Sequence, residues 1–203
     1  MFKIAVLVSG GGTNLQSIID AVNLGDLNCE IEMVISSKEG VFALERAKKH
    51  GIEGHVVSKK EYGSEQSNKI LELTEGKVDL IVLAGYLSIL EGAILDKFHN
   101  KIINIHPSLI PSFCGPRMYG LKVHEAAVKK GVKYSGCTVH FVNNEVDGGA
   151  IILQESVPVY FEDDGETLQK RVLEKEHILL PKAIKLISEN KVNIIDGRVR
   201  IAE

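Results

Sequence analysis

An α/β fold, built on an open, mostly parallel sheet with helices on both faces, is predicted by three features of the sequence. Short apolar runs alternate with amphipathic helical stretches through the first half of the chain. The first apolar run ends at Ser9-Gly10-Gly11-Gly12-Thr13-Asn14, a glycine-rich turn that leads into a helical pattern. Residues 78–84 are almost unbroken apolar sequence, as expected at the centre of a parallel sheet.

Taken in order, residues 4–8 read as a buried strand, and Leu15, Ile18, Ile19 and Val22 mark one face of a following helix. Residues 31–36 make a second strand. Residues 42–49 make a helix that Gly51 stops. A third strand falls at residues 55–57 and a helix at residues 65–75. The apolar strand 78–84 and a strand at 102–105 complete the parallel part. The C-terminal part differs. Residues 109–120, rich in Pro and Gly, form a structured loop, and residues 122–130 a helix. Strands 135–142 and 149–159, joined by a turn at 143–148, add an antiparallel portion. Residues 167–188 form a long amphipathic helix expected to break near Pro181. Residues 191–202 form a hairpin turning at Asp196-Gly197.

The chain has 203 residues, 44% hydrophobic and 25% charged, enough for one domain with a sizeable core. A net charge of -3 gives no global basic field for nucleic acid. No apolar run reaches the length of roughly eighteen residues that spans a membrane. The N-terminal apolar run reads as a first strand rather than a secretory segment. Three cysteines, with no Cys-x-x-Cys pair, argue against a disulfide framework and for the cytoplasm. No His, Cys or Asp cluster has metal-ligand spacing, so no metal is expected.

In open parallel sheets, ligands sit outside the carboxyl ends of the strands. Residues 9–14, 85–90 and the segment from His106 onward all follow strand ends. In residues 9–14, free backbone N–H groups can cradle a phosphate at the helix start. The same residues also suit a tight turn in which Thr13 or Asn14 caps the helix. The turn matches neither a Walker A loop nor a full G-x-G-x-x-G.

Asn104 and His106 lie two apart at a strand end, so their side chains point the same way, and Pro107 ends the ladder. An amide can stabilise an oxyanion and an imidazole can move a proton. Asp147, before Gly148-Gly149, is a carboxylate that would hold the imidazole in one tautomer. Each of the three also fits an ordinary turn or a satisfied core position. His140 alternates with Val139 and Phe141 and can reach the same cleft. His99, His124 and His177 sit in helical or loop context, and His50 and His55 at the surface. Cys114 reads as a free loop thiol.

Five segments, SGGGTNLQSII (9–19), VLAGYLSIL (82–90), INIHPSLIPSF (103–113), GCTVHFVNNEVDGGAIILQ (136–154) and KRVLEKEH (170–177), together resemble the phosphoribosylglycinamide formyltransferases, a family of folate-dependent formyltransferases. The resemblance spans essentially the whole chain. It implies the Rossmann-like formyltransferase fold and a single domain over 1–203. Residues 1–100 would be the phosphate-binding half and 101–203 the catalytic and folate-binding half. It implies formyl transfer from 10-formyltetrahydrofolate, a cosubstrate, to the amine of a glycinamide ribonucleotide, in purine synthesis. By the same resemblance Asn104, His106 and Asp147 are catalytic. Gly12, Thr13, Asn14 and Glu176 bind the ribonucleotide. Leu87, Ser88, Ile89, Leu90, Asn104, Val142 and Asp147 bind the folate. The implied partners are small molecules, with no nucleic acid or membrane, and the chain acts as a monomer or homodimer.

Three positions depart from the family pattern. Leu87-Ser88 stands where a methionine-arginine pair is common, Ser64-Glu65 where some members carry an arginine, and Leu173 where a polar residue often faces the substrate phosphate. Arg117, in a variable loop, can meet an anionic group. Two alternatives stay open: a formyltetrahydrofolate deformylase with the same three catalytic residue types, and a non-catalytic nucleotide-binding module. A methionyl-tRNA formyltransferase would need a further domain and a more basic surface. A sugar-nucleotide formyltransferase would lack this glycine loop.

Overall fold

The computed structural model describes residues 1–202. Strand β1 (Phe2–Val8) runs into helix α1 (Thr13–Asn23), β2 (Cys29–Ser36), α2 (Phe42–Lys49) and β3 (Glu53–Val56). Next come α3 (Lys59–Tyr62), a 3-10 turn (Gly63–Glu65), α4 (Gln66–Thr74), β4 (Leu80–Leu83), α5 (Ala93–Lys97) and β5 (Ile102–His106). Helix α6 (Leu121–Lys130), β6 (Tyr134–Phe141), β7 (Ile151–Pro158), α7 (Gly165–Ser188) and the hairpin β8 (Val192–Ile195) and β9 (Arg198–Ile201) complete the chain.

One seven-stranded sheet runs in the order β3-β2-β1-β4-β5-β6-β7. The pairings from β3 to β5 are parallel, and β6 is antiparallel to both β5 and β7. The chain therefore moves outward from β1 to β3 and returns to β4 on the other side of β1. Ligands bind at such a reversal, outside the carboxyl ends of the strands.

Period-two alternation divides β1 between two cores. Ile4, Val6 and Val8 pack with Leu15 and Ile18 of α1, Ala43 of α2, Ala127 of α6 and Val172 of α7. Ala5 and Leu7 pack on the opposite face with Ile70 of α4, Ile94 of α5, and Tyr86 and Leu90 of the segment after β4. The first face thus carries α1, α2, α6 and α7, and the second α4 and α5.

Helix α7 runs unbroken through Pro181, contrary to the expected break. Proline removes one helix hydrogen bond, at a cost of about 3 kcal/mol. Around it Leu179, Leu180, Ala183 and Ile184 are buried, and this packing outweighs the local cost. The third strand sits at Glu53–Val56, earlier than its apolar residues suggested. It is an edge strand fixed by register against Met33 to Ser36 of β2, and an edge needs little burial. Helices α3 and α5 have only four and five residues, too few for a periodic signal. Ser58 caps α3 by accepting from the Glu61 N–H.

Candidate active site

Along the carboxyl edge of β1, β4 and β5 lies a cleft of about 620 Å³. All three expected catalytic residues line it, as do Thr13, Asn14, Glu176 and Val142, and residues 87–90. A second hollow of about 680 Å³ between α1 and α7 holds none of these except Thr13.

The glycine turn forms the lip on the first face. Gly12 has φ 71 and is the N-cap of α1, with no side-chain cap bond. A Cβ there would lie 2.6 Å from Ala43 Cβ, so only glycine lets α1 and α2 meet this closely. Neither Thr13 nor Asn14 caps the helix. Asn14 Nδ2 instead donates to Glu176 Oε2 at 2.7 Å, tying the turn to α7. Asn14 Oδ1 is buried without a partner, an acceptor aimed at nothing in the protein. Burial pushes the Glu176 carboxyl up, against the opposing effect of the Asn14 hydrogen bond.

The lip on the second face is the segment after β4. Leu87 and Ile89 are exposed while Tyr86 and Leu90 anchor in the core. The Leu87 N–H donates to Ser9 Oγ at 2.8 Å, and Ser9 Oγ shares a 2.6 Å bond with Ser37 Oγ. This network joins the two lips beneath the cleft.

Between them stand the strand-end residues. His106 Nε2 lies 3.0 Å from the Phe113 carbonyl. A carbonyl only accepts, so Nε2 carries a proton and Nδ1 is the nitrogen free to exchange one. Nδ1 lies 3.6 Å from Asp147 Oδ2. Asp147 holds a left-handed φ of 56, and its Oδ2 accepts the Gly115 N–H at 2.8 Å. That bond pins the turn after β6 to the loop after β5.

Asn104 sits opposite His140 in the β5–β6 ladder. His140 Nδ1 donates to the Phe141 carbonyl at 2.8 Å, and burial holds its ring below the usual histidine range. Neutral His140 therefore offers Nε2 as an acceptor to Asn104 Nδ2, 3.2 Å away. This turns the Asn104 amide so that its second N–H stays free. His140 Nε2 also lies 3.7 Å from Asp147 Oδ1.

His124, on α6, was not singled out by the sequence. It is 1% exposed, lines the cleft, and leaves Nδ1 unpartnered. Burial, with nearby His106, takes it from 6.5 to about 4. A depressed histidine stabilises the fold fully above pH 6.5 and loses that contribution as pH falls toward 4, because the unfolded chain binds the proton first. Its share of the loss should be about 1.4 kcal/mol per pH unit. Urea denaturation between pH 4 and 7 should show a shallower slope for His124→Gln than for the parent chain. Equal slopes would remove His124 as a source. Cys114 donates to the Pro111 carbonyl, and burial and Asp147 raise its thiol, which fits an inert loop cysteine. No group of three or more His, Cys, Asp or Glu among the described residues is arranged to hold a metal ion. No helix among them is long and apolar enough to cross a membrane.

An amide N–H, an imidazole with an unbonded Nδ1 and a carboxylate thus converge on one cleft with a helix N-terminus on one lip and an apolar wall on the other. The family model for formyl transferases matches residues 2–184. The chain belongs to the formyl transferase family. This formyltransferase is 44% identical over 200 residues to phosphoribosylglycinamide formyltransferase of Haemophilus influenzae, covering 97% of this chain and 92% of that one. It is also 44% identical over 197 residues to the trifunctional purine biosynthetic protein adenosine-3 of Gallus gallus, of which it spans only 19%. Among solved structures, glycinamide ribonucleotide transformylase 1 of Symbiobacterium toebii superposes with a TM-score of 0.94 at 41% identity, covering 100% of this chain and 95% of that one.

Proposed function

We propose that this formyltransferase moves the formyl group of 10-formyltetrahydrofolate to the amine of 5-phosphoribosylglycinamide, releasing tetrahydrofolate in purine biosynthesis. The single observation that carries this is the meeting of Asn104, His106 and Asp147 between two chemically different lips of one cleft.

The first lip suits the ribonucleotide. The uncapped start of α1, with Gly12, Thr13 and Asn14, offers backbone N–H groups to the phosphate. The unpartnered Asn14 Oδ1 accepts from a ribose hydroxyl, and Glu176 takes another. The second lip suits the folate. Leu87, Ser88, Ile89 and Leu90, with Val142 facing them, form a largely apolar wall for a flat heterocycle. Phosphate binding thus rests mainly on residues 1–100 and catalysis on 101–203, but Glu176 and residues 87–90 cross that division.

In the reaction the amine attacks the formyl carbon, and the carbonyl electrons move onto oxygen. The free N–H of Asn104 and protonated Nδ1 of His106 stabilise that oxyanion. Asp147 balances the imidazolium and helps pass the amine's proton to the folate nitrogen, whose bond to the formyl carbon then breaks. His106 is buried, and the lower dielectric around it strengthens its contacts.

Steady-state assays with 10-formyltetrahydrofolate, with and without the glycinamide ribonucleotide, test this. Turnover that depends on the amine is expected. Folate hydrolysis at full rate without it would make the chain a deformylase. Against that reading stands the whole first lip, which a hydrolase does not need. Glu176→Ala is expected to raise the KM for the ribonucleotide about tenfold or more, with the folate KM little changed. Equal ribonucleotide KM values would remove Glu176 from the site.

A further inference from the structure

The cleft is lined by three carboxylates, Glu176, Asp147 and Glu145, but by a single Lys or Arg among the described residues, Arg117. We infer that Arg117 is the cation that grips the phosphate of the ribonucleotide, an assignment that rests on the function proposed above.

A phosphate dianion entering this cleft meets carboxylates and one helix N-terminus, which holds about half a unit charge, while Arg46 of α2 lies outside the cleft lining, committed to the Gly11 carbonyl and Gln16. Helix α7, which supplies Glu176, presents Gln169 and Leu173 to the cleft and no cation. A guanidinium with its planar fork is the side chain best matched to phosphate oxygens. Arg117 is exposed, and none of the hydrogen bonds or ion pairs found among the described residues engages it. It also holds a left-handed φ of 71, where glycine would rest without strain. The backbone at this point thus tolerates an unfavourable residue.

Its place in the fold selects the phosphate over the carboxylates of a folate tail. The loop carrying it leaves the centre at Gly115, bonded to Asp147, and enters α6 at Gly120. Helix α6 packs on α7, and a Cβ at Gly165, the first residue of α7, would press on Glu125 of α6. Both helices, like the glycine turn and α1, lie on the first face of the sheet. The apolar wall around Leu90 belongs to the second face. The loop that carries Arg117 therefore lies on the same side of the cleft as the lip assigned to the ribonucleotide.

The test compares wild type with Arg117→Ala, Arg117→Lys and Arg117→Gly. Expected is a rise of about tenfold or more in the ribonucleotide KM for Ala and Gly, a smaller rise for Lys, and a folate KM within about twofold of wild type. Calorimetric titration with the ribonucleotide alone should show the same loss of affinity. Arg117→Gly relieves the left-handed strain, so its melting temperature should equal or exceed wild type, and its weaker binding cannot then be ascribed to misfolding. An increase confined to the folate KM would assign Arg117 to the glutamyl tail and overturn the inference. Unchanged constants in an active enzyme would overturn it while leaving the proposed function standing. A wild-type enzyme that turned over no ribonucleotide would overturn both.

Discussion

His106→Ala is expected to lower kcat by about 10² to 10⁴, the usual worth of a positioned acid–base group. The exchangeable Nδ1 would be lost, and Asp147 would face an empty position 3.6 Å away. The fold should survive at a modest cost. The substitution leaves the Phe113 carbonyl without its 3.0 Å donor, worth about 1–3 kcal/mol. His106→Gln provides the control, since its amide can still donate but cannot titrate. Both variants should retain folate and ribonucleotide affinity in equilibrium titrations while losing turnover. A kcat near wild type in either would deprive His106 of its role. Asp147→Asn should follow in the same direction but less steeply, because an amide oxygen can still accept the Gly115 N–H.

Gly149→Ala should damage the site from a distance. A Cβ at Gly149 would overlap the carbonyl oxygen of Phe141. That oxygen accepts from His140 Nδ1, and His140 Nε2 in turn accepts from Asn104. Displacing it therefore disturbs the pairing of β6 with the start of β7 and also the orientation of the Asn104 amide, the proposed oxyanion donor. The expected loss is about 1–3 kcal/mol of stability, as for other overpacked positions, together with at least about a tenfold drop in kcat. Gly148→Ala is the contrast. There the atoms nearest a Cβ all belong to the side chain of Glu145, at 2.5 Å, and this exposed side chain can swing away. Thermal melts and kcat for the pair should separate them clearly. If Gly149→Ala matched Gly148→Ala in both, the chain of contacts from Gly149 to Asn104 would carry no weight.

Much of the fold was legible because it rests on patterns that the backbone imposes locally. The apolar run of β1, the helical face at Leu15, Ile18 and Ile19, and the turn at Asp196-Gly197 each express a local burial pattern, a period or a turn preference. Helix α2 falls at the predicted residues, Phe42–Lys49. Pro181 misled because local propensity argues for a break, whereas the buried residues on both sides of it belong to a core that spans the whole first face. Helix α5 escaped notice because Ile94 and Leu95 alone make no period.

The candidate site divides in the same way. Asn104 and His106 were legible as a pair, because residues two apart on a strand share a side wherever the strand lies. The glycine turn was legible as a special backbone, and Gly12 at φ 71 is one. What the turn does was not legible. Asn14 fitted either a phosphate cradle or a helix cap; it caps nothing and reaches Glu176 on α7, a partner 162 positions away. His124 reads in sequence as one more helical histidine, and only burial beside His106 sets it apart.

The sequence by itself therefore determined the α/β class, the order of most elements and the shared side of Asn104 and His106 on their strand. It did so because hydrophobic period and turn chemistry act over a few residues. Only the tertiary structure decided that Asp147 closes on His106, that His140 orients Asn104, and that Arg117 lines the same cleft as the glycine turn. Each of these depends on sheet order and on the packing of α6 against α7, which bring together groups that no local period relates.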